Sequence, residues 1–330
     1  MMKRFTYILL FGAILLSGCS KLADDQDKRI SVGIGIGNID AATKTAANAQ
    51  EFNQSMISSD KKFVPALWFT TSTEKVFQKD NETVADMFPC RTTVEFENTS
   101  PKYVKHNETD LIYPTIGENT PVYCVGLYPS TGWYSEDGIN AHHDINGSED
   151  LMFAPLIEGS WTNRFGIQTY NHLLTWIKIN VCATTLETAR QWGSITTVEV
   201  ETADQVNIDL SSGDISYSHS VEPIDGESNA NYIQSYNNPE GKELSLTSSQ
   251  VGSIFCSPAT NYNIKITMKD GVSRTVTVPL KDLYGINLSD AEQSIGKLYI
   301  INLYFKPFDI VEGKSSLYYW NNKNEELYLQ

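Results

Sequence analysis

The chain has 330 residues, with 25 lysines and arginines against 40 aspartates and glutamates, and a formal charge of −15. Phosphate recognition needs a basic footprint that this composition lacks, so nucleic-acid binding is argued against, and the acidity suits a solvated surface. Beyond the leader described next, about 310 residues remain, room for two ordinary domains, each with its own core.

Lys3 and Arg4 precede an apolar run over residues 5–16, which ends in Leu16-Ser17-Gly18-Cys19. A basic start, an apolar stretch too short to span a bilayer and small residues before a cysteine describe an export signal over residues 1–19. The motif resembles the bacterial lipobox, which implies that Cys19 is acylated and becomes the first residue. Two or three acyl chains, at about 0.8 kcal/mol per buried methylene, would hold a folded body on a membrane. Residues 20–29 are polar and acid-rich without apolar period and read as a solvated tether.

From residue 30 onward, alternation dominates and helical period is nearly absent. Ile30, Val32, Ile34 and Ile36 alternate with Ser31, Gly33, Gly35 and Gly37, which predicts a strand buried on one face and bare on the other. Further strands are expected at residues 64–70, 92–97, 122–128, 173–183, 196–200, 263–268, 275–278 and 298–305, separated by turn clusters such as Lys269-Asp270-Gly271. Residues 137–150, rich in Gly, Asn, His and Asp, read as a long surface loop. Residues 155–164 carry Gly159, Ser160 and Asn163 and are expected to link two domains, at 30–158 and 159–330. One helix is expected at residues 185–192, with Thr185 as cap and Gly193 as stop. Many short strands with polar turns place the chain in the all-β class, as antiparallel β-sandwiches.

Chemistry-bearing residues are few. His142-His143-Asp144 has ligand-type side chains, but neighbours on a strand face opposite ways and no further ligand stands at a recognised spacing, so no metal is expected. His172 heads an apolar strand and reads as a hydrogen-bonded structural histidine, while His106 and His219 lie among polar residues. Nucleophile elbow, phosphate loop, dinucleotide fingerprint and zinc-hydrolase motifs do not occur, and the Glu149-Asp150 pair by itself defines no glycosidase geometry. Neither an enzyme nor a cofactor is expected. Trp133, Tyr134 and Trp161 could line a glycan-binding surface, though core positions suit them better. Cys90, Cys124, Cys182 and Cys256 allow two readings: disulfides Cys90–Cys124 and Cys182–Cys256 in an exported protein, or four buried free thiols.

Several segments together carry a family likeness. They are the lipobox, the glycine-spaced first strand, Ala42-Thr43-Lys44-Thr45, Asp150-Leu151-Met152-Phe153-Ala154, the stretch through His172-Leu173-Leu174-Thr175-Trp176-Ile177-Lys178-Ile179, Gly296-Lys297-Leu298-Tyr299-Ile300-Ile301-Asn302-Leu303, and the late Trp320. In this order and spacing the chain resembles the fimbrillin family of lipoproteins, subunits of the type V pili of anaerobic gut and oral bacteria.

The resemblance implies two transthyretin-like antiparallel β-sandwich domains in series, an outer-membrane lipid anchor at the cell surface, and assembly into a fimbrium by strand exchange. Ile30, Val32, Ile34 and Ile36 would form the strand that plugs a groove in the first domain. A trypsin-like protease would cut after Lys44, or after Arg29 as second candidate, and a neighbouring subunit's C-terminal strand would then take the groove. Ile310, Leu317, Tyr319, Leu327 and Leu329 are the apolar residues expected on that donor strand. Alternatives are an anchor subunit that keeps its lipid and first strand, or a lipid-anchored glycan-binding adhesin. Expected partners are other pilus subunits, outer-membrane lipid through Cys19, the maturation protease and a host or bacterial surface ligand.

Overall fold

The computed structural model describes residues 28–37, 63–73, 88–96, 100–114, 120–219, 231–307 and 310–318. Strands make up nearly all of its regular structure. The first half forms β1 (Ser31–Gly37), β2 (Ala66–Thr70), β3 (Cys90–Thr93), β4 (Lys102–Tyr103), β5 (Lys105–His106) and β6 (Thr109–Asp110). It continues with β7 (Val122–Tyr128), β8 (Asn140–Asp144), β9 (Met152–Gly159) and β10 (Ile167–His172). The second half begins with β11 (Thr175–Ala183), α1 (Leu186–Trp192), β12 (Ser194–Glu201), β13 (Gln205–Asp209) and β14 (Ile215–Ser218). It closes with β15 (Tyr232–Glu243), β16 (Ser249–Cys256), β17 (Asn261–Met268), β18 (Ser273–Pro279), β19 (Leu298–Lys306) and β20 (Ile310–Tyr318).

Seven strands of the first half form one sheet in the order β3-β2-β7-β9-β10-β1-β4. Its middle strands are apolar on both sides, which requires cover on both faces. Leu67 and Phe69 of β2, Val122 and Cys124 of β7, and Met152 and Ala154 of β9 face a core closed by Phe96, Val104, Leu111 and Tyr113. Ala66, Trp68, Val125, Leu127 and Phe153 face a different core, made with Trp133, Ala141, Val206, Ile208 and Leu210.

That second cover overturns two expectations. Residues 137–150 contain β8, which pairs antiparallel with β13 from Gln205↔Asp144 to Asp209↔Asn140. The strand was hidden because only Ala141 and His143 of its five residues are buried. Residues 155–164 are likewise no linker: β9 runs through Gly159, and β10 beyond it belongs to the first sheet. The chain changes sheets after His172, where β11 begins.

The second half is a β-sandwich, with sheets ordered β16-β11-β19-β20 and β15-β12-β17-β18. Ile177, Ile179, Val181, Tyr299, Ile301, Leu303 and Phe305 from the first meet Ile195, Val198, Val200, Ile264, Ile266 and Met268 from the second. Helix α1 closes one end. Thr185 caps it by accepting from the Thr188 amide, and Gly193 stops it at φ 75°, a conformation that favours glycine. Trp192 meets the Phe305 ring at 5.1 Å and donates its indole N–H to the Lys306 carbonyl at 2.9 Å. The fold is all-β, as expected, although not wholly antiparallel: β1 with β10 and β11 with β19 are parallel pairs.

All four described cysteines are free and buried, so the disulfide reading is corrected. Cys90 and Cys124 flank Phe69 from opposite sides. Two strand spacings separate their Cα atoms by about 10 Å, beyond the roughly 7 Å that a disulfide tolerates. Cys256 pairs with Thr175, at the far end of β11 from Cys182 and about 20 Å away at about 3.3 Å per residue. Burial pushes the Cys90 thiol up to about 12 and raises Cys124, Cys182 and Cys256 as well.

Where β10 passes into β11, His172 Nδ1 lies 2.7 Å from Asp150 Oδ2, with the histidine side chain fully buried. This is the structural histidine expected from the sequence.

Asp150→Ala should lower stability to urea by about 1–3 kcal/mol, the cost of leaving a buried polar group without its acceptor, with Asp150→Asn milder. In a Cys19→Ala chain, denaturation without reductant should expose four thiols to a disulfide-exchange reagent, while the native chain reacts slowly at pH 8 because neutral thiols are poor nucleophiles. Fewer than four would mean that a disulfide exists.

Candidate functional site at the first strand

The expected plug residues are all deeply placed: Ile30, Val32 and Ile34 have no exposure and Ile36 has 3%. Strand β1 lies between β10, parallel from Gly33↔Ile167 to Gly37↔Asn171, and short β4, antiparallel at Ser31↔Tyr103 and Val32↔Lys102. The face expected to be bare is also covered, since Gly33 and Gly35 are buried as well. Without side chains the glycines let neighbouring groups approach closely: a Cβ on Gly37 would stand 2.8 Å from Thr169 Cγ2.

Aromatic rings line the groove. Phe63 stacks on Tyr128 at 4.7 Å and meets Tyr170 edge-on at 5.0 Å, while Phe165 packs against Phe69 at 5.9 Å and Tyr113 at 5.8 Å. Tyr170 comes from β10 itself and reaches over Gly126 of β7, where a Cβ would lie 2.1 Å from its hydroxyl. Gly126 is therefore the residue that admits the Tyr170 ring. Polar groups enter the groove too. Gln168, paired with Ile34, donates to the Cys124 carbonyl at 3.2 Å, and the Tyr113 hydroxyl accepts from the Phe165 amide at 3.0 Å. Burial raises the pKa of Tyr170 and Tyr113, which keeps both phenols neutral.

Seating four aliphatic side chains is worth roughly 6–12 kcal/mol before chain ordering, at about 1.5–3 kcal/mol each. An empty groove would also leave β10 with an unpaired edge. The geometry therefore suits a strand that stays seated unless another of the same alternation replaces it. Among the described residues its partners are distant in sequence: β10 lies far along the chain, and β4 contributes only a two-residue pairing.

The remaining expected site residues are distributed as follows. Arg29 lies two residues before Ser31 of β1 and forms a bridge with Ile112, and Lys28 is bound to the fold as well, so the end of the tether is less solvated than expected. Cys19, Lys44, Tyr319, Leu327 and Leu329 lie outside the described residues. Ile310 and Leu317 belong to β20, which pairs antiparallel with β19 along its whole length. Their odd separation turns them to opposite faces: Ile310 is 51% exposed, whereas Leu317 packs on the second core. The described part of the expected donor segment thus carries no single apolar row.

Other expected positions resolve into structural roles. His142 Nδ1 meets Asn207 Oδ1 and its ring lies 5.4 Å from Tyr134. His143, on the opposite face, lies against the Asp144 and Thr131 carbonyls and 4.9 Å from the Trp133 ring. His106, placed among polar residues by the sequence, contacts the Arg91 carbonyl at 3.1 Å. Glu149 accepts from Asn146 while Asp150 faces His172, so each carboxylate has its own partner. Among the described residues no group of three His, Cys, Asp or Glu could hold a metal, and no helix is long and apolar enough to cross a membrane.

No family model matches the chain, and no curated protein matches it. Solved structures are similar. A candidate cell adhesion protein from Bacteroides uniformis aligns over 90% of this chain and 99% of its own, at 12% identity and a TM-score of 0.52. One from Bacteroides ovatus aligns over 89% and 98%, at 16% identity and a TM-score of 0.49. A candidate polysaccharide-binding protein from Bacteroides thetaiotaomicron aligns over 89% and 99%, at 10% identity and a TM-score of 0.47. At such identities the likeness concerns the fold: this chain has the β-sandwich architecture of the Bacteroides uniformis protein over nearly its whole length.

Proposed function

We propose that the chain is a cell-surface adhesion protein, and more specifically a type V pilus subunit, exported as a lipoprotein through Cys19 and polymerised by strand exchange. The observation that carries this reading is the seat of β1: a strand inserted parallel to β10, its apolar row wholly buried, held by side chains and backbone bonds that another strand could supply. The fold shared with a candidate cell adhesion protein supports the adhesive setting. In this scheme a trypsin-like protease cuts after Lys44, the lipid leaves with β1, and a neighbour's C-terminal segment enters the groove. A second reading, an anchor subunit that keeps lipid and strand, is favoured by the depth of the burial at Ile30, Val32 and Ile34.

A covalent lock tests the exchange. With Gly37→Cys and Thr169→Cys, whose side chains would be neighbours, the oxidised chain should remain monomeric after trypsin-type maturation while the reduced chain polymerises. Polymerisation of the locked chain at the parent's rate would refute strand exchange.

The N-terminus of the mature surface protein separates the two readings. A polymerising subunit should begin at Thr45, whereas a lipid-bearing Cys19 at that position selects the anchor.

A further inference from the structure

Both cations that precede β1 are bound to the fold. Lys28 Nζ lies 4.7 Å from the centre of the Trp161 ring. The Arg29 guanidinium stands 3.9 Å over the Tyr103 ring, and its Nη1 is 3.8 Å from Asp110 Oδ2. The backbone is engaged on both sides of Arg29. The Tyr113 amide donates to the Lys28 carbonyl at 2.9 Å, and the Ile30 amide donates to the Leu111 carbonyl at 2.7 Å. The Val104 amide donates to the Ile30 carbonyl at 2.9 Å, and the Ile30 side chain has no exposure.

We propose that these contacts form a latch that makes the Arg29–Ile30 bond a conditional cleavage site, closed while β1 is seated and open to a trypsin-like protease once β1 leaves. Such a protease must take the basic side chain into a deep acidic pocket and reach the carbonyl carbon with its nucleophile. Here Arg29 is spent on Tyr103 and Asp110, and the next residue is buried. The amide nitrogen that would become the leaving amine is already hydrogen-bonded to Leu111. Net hydrolysis would add water across the bond, leaving a carboxylate on Arg29 and an amine on Ile30.

The inference rests on the proposed exit of β1 and adds an order to it. A cut at Arg29 before exit would separate the membrane tether from a strand still in its groove. The latch prevents this, so that the seated strand remains tied to residues 20–27. Residues Trp161 and Tyr103 thus become positioning residues for proteolytic processing.

The test is a trypsin time course on the exported chain purified in detergent, with the appearance of an N-terminus at Ile30 as readout. The parent should release Ile30 at least tenfold more slowly than the urea-unfolded chain. Tyr103→Ala, alone and with Trp161→Ala, should speed that release at least tenfold at unchanged far-UV dichroism, and Tyr103→Phe, which keeps the ring, should behave as the parent. Tyr103 is 46% exposed, so its single substitution preserves the fold even where the Trp161 change does not. Release of Ile30 from the native parent at the unfolded rate would overturn the latch, as would folded Tyr103→Ala that releases it no faster than the parent. Neither result depends on polymerisation, so failure of the latch stays distinct from failure of strand exchange.

Discussion

The seven-stranded sheet has no solvent face across its middle, and that constraint organises the molecule. Strand β2 is buried at all five positions, and β7 and β9 send large apolar groups both ways. A sheet of this kind needs two covers. One cover comes from its own half, through Phe96, Val104, Leu111 and Tyr113. The other is built by β8 together with β13 and β14 from beyond β11, so the core around Trp68 belongs to both halves.

Strand β1 sits toward the opposite margin of the same sheet, away from the shared core. Its pairing with β10 is parallel, and its other neighbour is two residues long. Removing it would strip one side of the first core and leave Trp68, Trp133 and the β8–β13 ladder intact. Strand β1 and the junction between the halves therefore use different faces and different residues. The packing around β1 and the connection between the halves are thus independent of one another.

Period two made several elements legible from sequence. Strands β1, β7, β11, β12, β17 and β19 carry aliphatic residues at inward positions and were placed within a few residues. Others escaped because their inward residues are polar. Strand β10 buries Gln168, Tyr170 and His172 while exposing Ile167 at 64%, which inverts the usual signal. In β15 no residue is fully buried, so nothing periodic marks it. The seat of β1 was thus readable as a strand, but its partner was not. Lys28 and Arg29 looked like tether because their aromatic partners, Trp161 and Tyr103, stand far away in the chain and leave no local trace.

The ladder between β8 and β13 also governs the order in which the chain can fold. Strand β8 exchanges bonds with Tyr134 through His142, but its ladder is complete only when Gln205 to Asp209 are present. The Ile145 amide likewise donates to the Asp204 carbonyl at 2.6 Å, and the Phe255 amide donates to the Gly147 carbonyl at 2.9 Å. A chain that emerges N-terminus first therefore holds the back of its first sheet open until β13 and β14 have appeared. Contacts of such long sequence separation slow folding. The first half therefore completes its packing only after part of the second half has been made.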